Sequence, residues 1–290
     1  MENVNNVIYQ AKFALKTNWL LAVKILEDAL VKFPENEDIY VELAEIYTSK
    51  EVYKKALEYY QITLNINPKN DFARFKTGNI YLELGEPKMA IIHYDKMTED
   101  YPEALFNKAI AYKSLHKLDD AVVTLKKLTE HSVQMIGAYK YLVEILVTLG
   151  KLKEAVNYID KARKSFGDVF LLHYLRGLVY EREKNLIGAY HEYMIAARED
   201  SEYPHVHKTL AKLADAIGQK NQVLKHLRKA IRQRFDVWSS IKEFVEHVVK
   251  YDLVNDLDGL RELMSDFDDL VFSHAKKIYL ELRGQNGTNN

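Results

Sequence analysis

Small residues recur along this chain at a nearly fixed interval. Ala22, Ala56, Ala90, Ala121, Ala155, Ala189 and then Val223 are separated by 34, 34, 31, 34, 34 and 34 residues. Self-similarity at such a period means one supersecondary unit stacked on copies of itself, because each unit alone cannot bury its apolar face. Two further ladders keep the register. Four residues downstream stand Leu26, Tyr60, Tyr94, Leu125, Ile159, Tyr193 and Leu227; nine upstream stand Phe13, Tyr47, Tyr81, Tyr112, Leu146, Tyr180 and Ala214. Residues three and four apart share a helix face, so each unit reads as a helical hairpin in which large side chains meet small ones. Only 11 Gly and 5 Pro punctuate 290 residues, and some of them mark turns, as in Leu84-Gly85-Glu86-Pro87, where Gly ends one helix and Pro opens the next. Gly150 and Gly218 stand in equivalent turns.

The second unit presents Tyr40, Leu43, Ala44 and Tyr47 on its first helix, and Ala56, Tyr60 and Thr63 on its second, with Pro68 closing the pair. The pattern Tyr40-x2-Leu43-Ala44-x2-Tyr47…Ala56-x3-Tyr60…Pro68 resembles the tetratricopeptide repeat, as do Gly78, Tyr81, Ala90, Tyr94 and Pro102. The resemblance covers roughly residues 3 to 237. It departs from the family pattern in three respects: the family's Trp is absent throughout, Gln10 and Val143 stand where Gly or Ala is usual, and no Pro closes the third unit. The resemblance implies an all-α, right-handed superhelix of about seven hairpins (3–36, 37–70, 71–101, 102–135, 136–169, 170–203 and 204–237). The 31-residue spacing falls at Tyr101-Pro102, where the closing Pro opens the next helix, so a local change of pitch is expected there.

Residues 238–283 continue as helix, with Trp238, Ile241, Val245, Val248 and Val249 on one stripe, and are expected to lose the register and cap the array. Residues 284–290 are expected to form a disordered tail. From Lys220 to Arg234 there are six basic and no acidic residues, whereas Asp252 to Asp269 holds seven acidic and one basic; the two segments are expected to neutralise one another.

Forty-one basic against 42 acidic residues leave a net charge of −1, so no global field draws the chain onto nucleic acid. Helical-repeat binding of single-stranded RNA remains a weaker alternative, to be recognised by a steep salt dependence. Absence of cysteine removes disulfides, thiolate metal sites and cysteine nucleophiles. The start of the sequence has no basic leader with an apolar stretch, and runs such as Trp19 to Val23 are too short to span a bilayer; a cytoplasmic protein without membrane insertion is expected. Asn286-Gly287-Thr288 matches a glycosylation sequon in a polar tail without an export signal.

No catalytic constellation emerges. His191-Glu192 begins like a zinc-peptidase helix, but Ile195 replaces the second His. His205-Val206-His207 places two imidazoles on different faces of a helix with no third ligand. No phosphate loop or dinucleotide fingerprint occurs, Gly150-Lys151 being followed by Leu. No cofactor, metal or catalytic residue is therefore expected.

The resemblance also implies where a partner would lie, because in this family the stripe beside the core stripe of each first helix lines the binding groove. One residue after each Tyr40 equivalent stand Val7, Val41, Phe75, Phe106, Lys140, Tyr174 and Lys208; one turn further come Asn79, Ile110, Glu144, Leu178 and Lys212. The expected partner is another protein offering a peptide or amphipathic helix, apolar at one end and acidic at the other. The Lys and Asn series with which co-chaperones of this family clamp a terminal carboxylate is absent. A homodimer joined by the terminal helices is the competing expectation, and the stripe Phe267, Leu270, Val271, His274, Ile278 and Leu282 could instead fold back into the groove.

Overall fold

A computed structural model describes residues 3–131, 135–199, 204–233 and 236–287. These residues form seventeen helices and no strand: α1 (Val4–Leu15), α2 (Trp19–Leu30), α3 (Glu37–Ser49), α4 (Tyr53–Ile66), α5 (Asp71–Glu83), α6 (Pro87–Asp95), α7 (Pro102–Ser114), α8 (Leu118–His131), α9 (Ile136–Thr148), α10 (Leu152–Phe166), α11 (Phe170–Arg182), α12 (Leu186–Glu199), α13 (Pro204–Ala216), α14 (Lys220–Arg232), α15 (Val237–Lys250), α16 (Leu257–Leu263) and α17 (Asp269–Gly287). Consecutive helices pack as hairpins, with α1 against α2, α3 against α4, α5 against α6, α7 against α8, α11 against α12 and α13 against α14. The chain divides into two compact units, Met1–Leu142 and Val143–Asn290.

Within the first unit the ladder residues form the core: Ala22, Leu26, Leu43, Ala44, Ala56 and Tyr60 are fully buried. The second unit repeats the arrangement with Ala155, Ile159, Ala189 and Tyr193. Small residues in the ladders permit close helix approach. Asn3, Asn18, Asn36 and Asn70 start α1, α2, α3 and α5 by accepting from a backbone N–H two or three residues on, which satisfies orphan donors of the first turn.

Apart from the one between α1 and α2, the corners between paired helices share one geometry. Glu51, Gly85, His116, Gly150, Lys184 and Gly218 all take the left-handed conformation, with φ between 57° and 78°. After each, a backbone N–H reaches back five residues: Val52 to Tyr47, Glu86 to Tyr81, Lys117 to Tyr112, Lys151 to Leu146, Asn185 to Tyr180 and Gln219 to Ala214, at 2.8–2.9 Å. This is the Schellman closure, which satisfies the last carbonyls of the first helix. Three corners thus use Gly, as the sequence indicates, and three achieve the same bend with Glu, His or Lys.

The short spacing has a local cause. α6 has nine residues where the second helices of the other hairpins have twelve to fifteen. The nonhelical segment that follows is held by Asp71, a buried carboxylate at the start of α5. It accepts from the Thr98 N–H (2.9 Å), the Thr98 hydroxyl (2.6 Å) and the Glu99 N–H (3.0 Å). Pro102 then begins α7 directly.

The C-terminal region departs from the sequence reading in one informative way: α15 keeps the register. Ile241, Phe244, Val245 and Val248 lie 34 residues after His207, Leu210, Ala211 and Ala214 and are fully buried. Asp252 adopts the left-handed conformation 34 residues after Gly218, and the Leu253 N–H bonds back to Val248 O at 3.0 Å. Valine and phenylalanine in place of the usual Ala and Leu conceal this first helix of a further hairpin. The register is lost only afterwards, where α16 is a short helix and α17 packs on α15, burying Val271, Ala275 and Tyr279. Those residues therefore belong to the cap core. α17 also continues to Gly287, past the expected end of order at residue 283. Of the expected charge neutralisation the structure shows Arg228 and Arg232 on Asp266.

Candidate functional site

The residues flanking the core stripe of successive first helices are held by a repeating polar pairing. Glu45 meets Lys76 at 2.8 Å, 31 residues on; Lys212 approaches Glu243 at 4.0 Å, again 31 residues on. Asn107 Nδ2 donates to Asn79 Oδ1 at 2.9 Å, 28 residues on, the three-residue deficit being the one at α6. All three pairs join equivalent positions of neighbouring first helices. The sequence reading missed Asn107, although subtracting the deficit from the 31-residue offset points to it.

In the first unit this face carries an apolar and amide cluster. Phe75 is half-buried against Tyr94, with ring centroids 6.4 Å apart. Phe106 meets Tyr141 edge-on at 5.2 Å. Between them Asn79 Oδ1 accepts from both the Tyr94 hydroxyl (2.7 Å) and Asn107. Those bonds leave Asn79 Nδ2 as a donor and Asn107 Oδ1 as an acceptor, the complement of one peptide unit. Burial drives the Tyr94 phenol far above the ordinary tyrosine range, so it stays a neutral donor. Val41 and Ile110 are half-buried. Val7, by contrast, is core: it is 3% exposed and packed among Ala11, Ala22 and Leu26. Lys140 is half-buried.

In the second unit Tyr174 packs on Tyr193 at 5.6 Å, Leu178 joins the same cluster, and Glu144 is half-buried. The expected basic end is different in kind. Lys208 is engaged by Asp236 (2.5 Å), Ser239 (2.7 Å) and Glu243 (3.4 Å), so its ammonium is committed to the junction between α13 and α15. Only Lys212 is open to solvent. Glu243 lies in the segment read as losing the repeat, and Asp236 at the very end of the unit before it, which is why their pairing with Lys208 was not anticipated. A cavity of about 300 Å³ lies beside them, lined by Lys212, Asp215, Glu243, Glu246, His247 and Lys250 among others.

His207 does not act as a ligand with His205, whose side chain lies outside the described residues. It stacks on His226, with ring centroids 5.5 Å apart and Nδ1 atoms at 3.3 Å, while His226 Nε2 bonds the Tyr190 hydroxyl. Burial pushes both imidazoles down to about 4. Among the described residues no three His, Asp or Glu side chains gather as a metal site, and no helix is long and apolar enough to cross a membrane.

Models of the tetratricopeptide repeat match residues 39–72 and 72–104. The chain carries tetratricopeptide repeats. It is 28% identical over 249 residues to TPR repeat-containing protein MJ1428 of Methanocaldococcus jannaschii, covering 80% of this chain and 42% of that protein. The chain thus spans less than half the length of that relative. The fold is that of the C-terminal part of a tetratricopeptide-repeat protein from Cytophaga hutchinsonii, with a TM-score of 0.61 at 13% identity over 82% of this chain and 93% of the other. YrrB, a tetratricopeptide-repeat protein described as having an unusual peptide-binding site, aligns with a TM-score of 0.55 at 17% identity, covering 62% of this chain and 95% of its own. Tetratricopeptide-repeat proteins generally mediate contacts between proteins.

Proposed function

We propose that the chain is a noncatalytic scaffold whose first-helix face receives an extended peptide or a helix of a partner protein. The observation that carries this reading is the cluster Phe75, Asn79, Phe106, Asn107 and Ile110. Two half-buried phenyl rings flank an unengaged amide donor and acceptor, which is what a peptide needs: apolar pockets for alternate side chains and a partner for its backbone. YrrB, of the same fold, is described by its peptide-binding site, which supports the analogy. Within the second unit, taken by itself, Tyr174 and Leu178 supply apolar contacts on the equivalent helix face, and Lys212, exposed and 4.0 Å from Glu243, supplies a cation there. The test is affinity capture from the native cell with mass spectrometry, followed by calorimetry of the captured partner with Phe106→Ala and Asn107→Leu variants. Loss of affinity in both supports the reading; unchanged affinity in both overturns it.

A second reading, self-association, has its own observation. Tyr9 and Phe13 are 71% and 68% exposed, yet one repeat later the equivalent Leu43 and Tyr47 are 0% and 5% exposed. Tyr47 is covered there by Trp19, edge-on at 6.0 Å. A second copy could cover α1 in the same manner. Light scattering across a range of concentrations distinguishes the two: a species that stays monomeric throughout sinks this reading.

A further inference from the structure

The exposed face of α14 is strongly one-sided in charge. Between Lys220 and Arg234 the sequence has six basic and no acidic residues, in a chain whose net charge is −1. The helix buries Val223, Leu227, Ala230 and Ile231, which turns Lys225, Lys229 and Arg232 to solvent. An open groove of about 500 Å³ runs along this face. Four cations, Lys225, Arg228, Lys229 and Arg232, and two half-buried leucines, Leu224 and Leu263, line it.

Two ordinary explanations fall short. Cations are favoured in the last turn of a helix by its dipole, which accounts for Lys229 and Arg232 and not for Lys225, more than one turn earlier. A merely solvated face interleaves both signs, whereas here, among the described residues, the carboxylate paired with this face is Asp266, which serves both Arg228 (3.7 Å) and Arg232. Among the described residues Lys225 and Lys229 enter no ion pair.

We infer that the α14 groove is a second docking surface, separate from the first-helix face, for an acidic protein segment carrying a leucine-like apolar anchor. Charge complementarity selects the carboxylates, and Leu224 with Leu263 supply the contact that fixes the anchor. Nucleic acid fits less well, because the lining offers no aromatic ring on which a base could stack. A lipid surface fits less well too, since both leucines are recessed between the cations.

The test uses the full chain and a fluorescent twelve-residue peptide in which glutamates alternate with leucines. Parallel probes are polyglutamate of equal length, single-stranded oligonucleotide and anionic phospholipid vesicles. The expected result is saturable peptide binding that weakens with salt, falls at least tenfold in Lys225→Glu/Lys229→Glu, falls several-fold in Leu224→Ser, and is unchanged in Phe106→Ala. Circular dichroism checks that the variants stay folded, and all three lysine and leucine positions lie outside the fully buried core. Equal binding of polyglutamate would reduce the site to diffuse electrostatics and overturn the inference. Tighter binding of oligonucleotide or vesicles, or indifference to the double lysine variant, would overturn it as well. Loss of peptide binding in Phe106→Ala would assign the peptide to the first-helix face and leave α14 without a role.

Discussion

Gly177 lies under the ring of Tyr193: a β-carbon built on this glycine would sit 2.5 Å from Tyr193 Cε1. The same relation recurs in the other unit, where a β-carbon on Gly78 would sit 2.4 Å from Tyr94 Cε1. Both rings are buried, Tyr193 being 1% exposed and Tyr94 6%, so neither can swing aside. Gly177→Ala should therefore destabilise the second unit by about 1–3 kcal/mol, the usual range for overpacking. Restoring room with Gly177→Ala/Tyr193→Leu should recover part of the loss. Urea melts of the three proteins check this; a neutral Gly177→Ala would show that the ring is free to move.

Gly150 requires the absence of a side chain for a different reason. Nothing lies within 4 Å of a β-carbon there, but φ is +73°. Gly150→Ala should cost about 1 kcal/mol through the left-handed backbone alone, less than Gly177→Ala. At the equivalent Lys184 corner (φ 61°) the reverse change, Lys184→Gly, should be neutral or stabilising by up to about 1 kcal/mol. Thermal melts of both variants test the pair, and a destabilising Lys184→Gly would refute the backbone explanation.

Acid should weaken the second unit through His207 and His226. Burial lowers both to about 4 in the folded protein, against an unfolded value near 6.5. A depressed imidazole means the unfolded chain binds protons first, so the stabilisation is complete above about pH 6.5 and disappears as pH falls toward 4. The geometry gives the reason: with Nδ1 atoms 3.3 Å apart, one ring can donate only while the other stays unprotonated there. A loss on the order of 2 kcal/mol is expected between pH 7 and 4.5. Denaturant titrations over that range should show a shallower pH slope in His226→Gln, and imidazole proton shifts should stay constant from pH 7.5 to 5.5. Titration of either ring near 6.5 in the native protein would remove this account.

Phe106 and Lys208 separate binding from stability. Phe106 stands on the partly exposed first-helix face, and truncating such an anchor typically costs about 1.5–3 kcal/mol of affinity, roughly ten- to hundredfold. Lys208 is held by Asp236, Ser239 and Glu243. Lys208→Ala should therefore lower the stability of the junction of α13 with α15 by about 1 kcal/mol and leave partner affinity nearly unchanged. Calorimetry with the captured partner and melts of the free protein measure the two effects separately.

What the sequence made legible follows from period. Ladders of Ala, Tyr and Leu located the paired helices of both units, and Gly85, Gly150 and Gly218 marked three corners directly. Glu51, His116 and Lys184 carry no comparable mark, since a left-handed backbone at these residues is imposed by the hydrogen bond that closes the helix before it. The register of α15 was hidden because Phe244 and Val245 replace the expected Leu and Ala. At the candidate surface, position along the helix assigns Phe75, Phe106, Tyr174 and Leu178 to the flank of their first helices, where the structure leaves all four half-buried. It failed for Val7, which the first hairpin absorbs into its core, and for Lys208, whose partners come from another helix. Offset alone gives a side chain its row; which neighbour claims its charge depends on packing across rows.

The shared corner has a consequence for how such chains change over generations. Glu51 and Lys184, or Gly150 and Gly218, present the same backbone bend followed by the same backward hydrogen bond. A segment excised or duplicated between any two of these points rejoins ends that already match. Unequal recombination at the corners can therefore lengthen or shorten the array in steps of one hairpin without inventing a new joint, whereas a break inside a helix would shift every ladder downstream.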